Sequence, residues 1–123
     1  MDITKQIIQN PSGGFSLLSG DGAPNFGCLV GGQVSPLTVD TSVSMTLAQY
    51  AETVESIQFF LVYLKNTVGA PFVLWWTDEE SDLLYIDGVT WHRGEAEAIL
   101  TARERRQLDY FDCHTRSTVF LEV

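Results

Sequence analysis

The chain has 123 residues, 45% of them hydrophobic and 19% charged, with a formal net charge of −9. A chain of this length buries roughly 65% of its unfolded surface in one core without disulfide or metal staples. It is too apolar for intrinsic disorder, and its charge repels nucleic-acid phosphates and anionic lipid while favouring partners with basic patches.

Seven of the ten glycines fall within residues 13–32, among Pro11, Pro24, Ser12, Ser19 and Asn25, which predicts turns joining short strands at 15–18 and 26–30. A third strand is expected over 33–40, at an edge or a bulge because Pro36 lacks an amide donor. Thr46 and Gln49 have capping-box spacing and open a helix that runs to about Asn66. Its apolar stripe is Leu47, Tyr50, Val54, Ile57, Leu61, Leu64 and Val68, and Gly69 with Pro71 ends it.

Strands follow at 72–77 and 83–86, separated by acidic residues, and Asp87-Gly88 predicts a hairpin turn into a further strand at 89–92. A second helix is expected within 95–111, where Thr101 and Glu104 offer another capping box, and residues 117–123 alternate like a last strand. The expected fold is a single α+β domain over residues 1–123: an antiparallel sheet of about six to seven short strands, in the order β-β-β-α-β-β-β-α-β, packed with one long and one shorter helix.

Cys28 and Cys113 form no C-x-x-C pair, so neither a zinc site nor a disulfide framework is indicated and a reducing compartment is expected. The longest apolar run is only 59–64 and the N-terminal residues are polar, which argues for a cytoplasmic chain with no membrane span. For catalysis, His92, His114, Cys28, Cys113, Asp87, Asp109 and Asp112 are available, yet none lies in a recognised nucleophile or metal-ligand motif. No catalytic residue, metal or cofactor is assigned. The glycines around Gly20-Asp21-Gly22 and Gly31-Gly32 match no phosphate-binding pattern. Arg103, Arg105 and Arg106 are expected to pair with acids such as Glu97 and Asp109.

The informative feature is an apolar surplus. Alternation in the strand 72–76 leaves neither face polar, and the helical run 59–64 surrounds its axis with apolar groups. These residues are expected either to pack internally or to meet a partner, with a homodimer the favoured assembly. The functional expectation is a non-enzymatic interaction module, such as a small acidic inhibitor, immunity or accessory protein docking on a basic partner. Trp75, Trp76, Tyr85, Trp91 and Phe60 are its candidate anchors, and Asp78, Glu79, Glu80 and Asp82 its steering charges. One alternative is a small-molecule-binding domain with an aromatic-lined pocket, for which His92 and Arg93 are the polar candidates; another is a structural subunit of an assembly.

Overall fold

The computed structural model describes residues 3–19, 22–42 and 44–122. Gly20 and Asp21 of the glycine-rich turn and Val123 of the last expected strand lie outside these residues. In chain order the elements are α1 (Ile3–Gln9), β1 (Gly13–Leu17), β2 (Cys28–Val30), β3 (Leu37–Asp40), α2 (Leu47–Tyr63) with a closing π turn (Leu64–Val68), β4 (Phe72–Asp78), β5 (Leu83–His92), α3 (Glu95–Glu104), β6 (Asp109–Asp112) and β7 (Ser117–Phe120). All pairings are antiparallel, in one sheet of order β1-β4-β5-β2-β6-β7 with β3 alongside β5. The α+β class and the antiparallel sheet packed with one long and one shorter helix agree with the sequence expectation.

The element order departs from expectation in three places. Asp87-Gly88 makes no turn: it lies inside β5, with Asp87 opposite Leu74 and Gly88 opposite Val73 of β4. A Cβ at position 88 would strike the Leu64 side chain, so glycine is there for the close approach of the helix end to the strand. The reversal is the expected acidic turn after β4, where Asp82 takes φ 56°. Helix α3 starts from Gly94, which leaves Thr101 in its interior and the second capping box unformed. It stops at Glu104, Arg106 adopts φ 58°, and residues 109–112, the first three of them expected inside this helix, form β6 between β2 and β7. The third difference is α1, a short helix whose two core side chains, Ile3 and Ile7, are too few to show periodicity in the sequence.

Helix α2 is built as its sequence predicts. The Gln49 amide donates to Thr46 Oγ1 (3.2 Å), and the Thr46 amide donates to Gln49 Oε1 (2.9 Å). Gly69, at φ 74°, turns the chain out of the helix while its amide donates to the Leu64 carbonyl (2.8 Å). The expected stripe is buried only in part: Ile57, Leu61 and Leu64 enter the core, whereas Leu47 and Tyr50 stand in solvent.

Strand β5 is the spine of the sheet. Its residues 83–86 pair with β4 on one side and β3 on the other, and residues 90–92 pair with β2. One face of the sheet carries all three helices. Ile3, Ile7, Ile57, Leu61 and Leu64 pack there on Val73, Trp75, Leu84 and Ile86, while Ala98 and Ala102 of α3 pack on Cys28, Val30 and Tyr110. The opposite face, with Phe15, Leu29, Leu74, Val89 and Phe111, has no helix over it. Phe15 on β1 and Phe111 on β6 are four strands apart, about 19 Å in a flat sheet, yet their ring centroids lie 4.8 Å from each other. The sheet therefore rolls its helix-free face inward, and the Arg116 guanidinium, 5.5 Å above the Phe15 ring, helps close the roll.

Candidate functional site

Two concave surfaces hold the residues with functional potential, one on each face of the sheet. The first is a groove between α2 and β3. Residues Ala48, Glu52, Glu55, Phe59 and Val62 recur at spacings of three and four, so they form one stripe, and all are exposed. Phe59 is 79% exposed, an unusual state for a phenylalanine on a helix that also carries a buried stripe. Next to this stripe, Leu37, Glu52, Glu55, Ser56, Phe59, Phe60 and Tyr63 line a depression of about 630 Å³. It runs on past Asp40, Met45 and Gln49 as a second depression of about 670 Å³ that shares Leu37, Glu52 and Ser56.

The floor of this groove is an unusual strand edge. Among the described residues β3 pairs only with β5, so its other edge carries unpaired backbone donors and acceptors. Every charged side chain lining the groove is an acid: Asp40, Glu52 and Glu55. The Ser42 hydroxyl (2.6 Å) and amide (2.9 Å) both donate to Asp40 Oδ1 and hold that carboxyl below its ordinary range.

The residues singled out from the sequence are dispersed. Trp75 is in the core, its indole N–H donating to the Asn10 carbonyl (2.8 Å) and so tying the end of α1 to β4. Trp76, 37% exposed, stacks on Tyr85 of the neighbouring strand, with ring centroids 5.3 Å apart and planes 11° apart. Trp91 is half-buried, edge-on to Phe26, and donates to the Phe26 carbonyl (2.9 Å). Only Phe60 of these anchors reaches the α2 groove. Asp78, Glu79, Glu80 and Asp82 belong to the β4–β5 turn, where Ser81 Oγ donates to Asp78 Oδ2 (2.7 Å) and the Asp82 carbonyl accepts from the Thr41 hydroxyl (2.6 Å).

His92 and Arg93 separate as neighbours on a strand must. Arg93 is exposed, whereas His92 is buried with Nδ1 2.8 Å from Glu97 Oε1 and Nε2 2.7 Å from Thr90 Oγ1. Arg105 Nη1 donates to that same hydroxyl (2.8 Å) and to the carbonyls of Val30 (3.1 Å) and Gly31 (3.3 Å). The chain of carboxylate, imidazole, hydroxyl and guanidinium straps α3 to β5 and β2. Its hydroxyl is bonded on two sides and does not line either concave surface, so the geometry is that of a strut. Arg105 is thus committed to backbone carbonyls and Thr90, and the one ion pair among the described residues is His92 with Glu97. Cys28 and Cys113 are both buried free thiols, on opposite faces of the sheet, and burial pushes the Cys113 thiol up to about 11.

The second surface is the trough on the rolled, helix-free face, about 540 Å³ in volume. Leu29, Leu74, Val89 and Phe111 form its apolar walls, Trp76 and Phe120 its rim, and Asp87, Arg106, Gln107 and Asp109 its polar groups. Asp87 is 8% exposed, and its Oδ1 has no hydrogen-bond partner. Its Oδ2 rests against Gly31, where any side chain would collide with it. Burial raises the Asp87 carboxyl to about 7, against the opposing pull of the Gly88 amide and the Arg105 charge. Burial also raises Asp109.

The sequence offered one signal for Asp87: along β5 it is the lone acid in the stripe Leu83, Tyr85, Val89 and Trp91. Among the described residues no group of three or more His, Cys, Asp or Glu is arranged to hold a metal ion, and no helix is long and apolar enough to cross a membrane. No protein-family model matches the chain, and neither a curated protein nor a solved structure matches it.

Proposed function

We propose that this chain is a non-enzymatic interaction module that docks a basic, extended segment of a partner protein in the groove between α2 and β3. The observation that carries the reading is the coincidence, in one groove, of an unpaired strand edge, exposed aromatic side chains and carboxylates unaccompanied by any basic group. An added strand satisfies the backbone groups of β3, apolar side chains cover Phe59, Phe60 and Tyr63, and lysines or arginines meet Glu52, Glu55 and Asp40. The net charge of −9 steers such a partner from a distance. A homodimer through the same helix would bring Glu52 and Glu55 of two copies together against one Lys65 from each, which disfavours self-association at low salt.

Fluorescence anisotropy of a short, labelled peptide of alternating lysine and valine tests this reading. Two charge-matched double variants separate the groove from general acidity: Glu52→Lys with Glu55→Lys, and Asp78→Lys with Glu80→Lys at the β4–β5 turn. The proposal expects binding that weakens with salt, is lost in the α2 variant and survives in the turn variant. Equal loss in both variants would reduce the groove to non-specific charge attraction. Light scattering on the same samples reads out a dimer directly.

A further inference from the structure

The trough on the helix-free face is separate from the α2–β3 groove and carries an independent conclusion. Its floor presents a carboxylate that is more than nine-tenths buried and has one oxygen without a partner. An unmet buried acceptor costs folding energy, and Arg105, whose charge acts on Asp87, spends its donors on Val30, Gly31 and Thr90. The walls above it are Leu29, Leu74, Val89 and Phe111, and Trp76, stacked on Tyr85, borders the opening. A volume of about 540 Å³ falls within the range of pockets that enclose small organic molecules.

We propose that this trough binds a small arylalkylamine as its ammonium cation, with Asp87 as the counter-ion and the aromatic and aliphatic walls enclosing the ligand's apolar body. The ammonium pairs with the Asp87 carboxylate, and the ligand's ring packs on Leu74, Val89 and Phe111 with Trp76 at the rim. A bare metal ion fits poorly, since hard cations want six or more oxygens, and the trough sets only two carboxylates, Asp87 and Asp109, beside the cationic Arg106. The other charged groups around Asp87 are Arg105 and Arg106, from the segment after α3, and Asp109 from β6; Arg106 is exposed, and Asp109 adds a second carboxylate to the trough.

The protonation of Asp87 gives the proposal a diagnostic. With a carboxyl near 7 in the empty trough, cation binding below neutral pH must expel a proton, so affinity falls about tenfold for each pH unit below 7 and is level above it. Isothermal titration calorimetry with phenethylamine, tryptamine and benzylamine, and with 2-phenylethanol as the neutral counterpart of the first, measures this. At least one amine binds at least tenfold tighter than the alcohol, with that pH profile, and loses at least tenfold in Asp87→Asn. Trp76→Ala, a rim substitution that leaves the core intact, weakens the same amine several-fold and serves if Asp87→Asn does not fold. No binding by any of the three amines, equal binding of the alcohol, or amine binding unchanged in both variants overturns the assignment.

Discussion

Replacing Asp87 by asparagine should abolish most of the pH dependence of stability that this chain shows between weakly acidic and neutral solution. Burial raises the Asp87 carboxyl from about 3.8 to about 7 on folding. Below pH 3.8 the group is protonated in both states and contributes nothing to the difference. Between those values the folded protein keeps a proton that the unfolded chain releases, so stability falls as pH rises, and the loss is complete once pH exceeds 7. At 1.36 kcal/mol per pH unit the total is at most about 4 kcal/mol, a large fraction of the stability of a domain this size. An asparagine has the same shape and no charge, so, relative to their difference below pH 3.8, the variant should gain about 4 kcal/mol over the wild type by pH 8 and only about 1 kcal/mol by pH 4.5. Urea unfolding of both proteins from about pH 4.5 to 8.5 checks this, because Asp40, Asp78 and Asp109 act equally in both and cancel in the difference. Parallel curves at all pH values would refute the assignment of Asp87 as a buried, destabilised carboxylate.

Two further substitutions test the packing that corrects the sequence expectation. Gly88→Ala should destabilise by roughly 1–3 kcal/mol through collision with Leu64, and Leu64→Ala in the same chain should recover part of that collision cost as a non-additive term; a neutral Gly88→Ala in urea unfolding would contradict the close approach. Thr46→Ala removes the acceptor of the Gln49 amide and should cost about 0.5–2 kcal/mol, read as lost helical circular dichroism and a lower urea midpoint.

The sequence was most legible where local chemistry is self-contained. The capping box at Thr46, the stop at Gly69 and the strands around Phe72 all follow from residues that interact within a few positions, and the structure contains them. It misled where one dipeptide serves two purposes. Asp-Gly is a turn former in isolation, but in β5 the glycine makes room for Leu64 and the aspartate points into the trough, and neither partner is near in sequence. The apolar surplus of strand 72–76 was visible, and its resolution was not. Trp75 is covered by helices, whereas the face bearing Leu74 and Trp76 is covered by the sheet's own curl, which depends on contacts such as Phe15 with Phe111. The groove was half legible: Phe60 and the overall acidity pointed to docking, while Phe59, Glu52 and Glu55 gain meaning only once β3 is placed beside α2.

Site-specific photo-crosslinking tests the docking account most directly. A benzoylphenylalanine at position 59, on the groove stripe, is compared with one at Leu100, another exposed apolar position, on α3. The account predicts that position 59 captures a basic polypeptide whose crosslinked residues lie in an extended segment, and that Glu52→Lys with Glu55→Lys suppresses the capture while position 100 remains silent. Identical products from both positions, or only a crosslinked second copy of this chain from position 59, would contradict it.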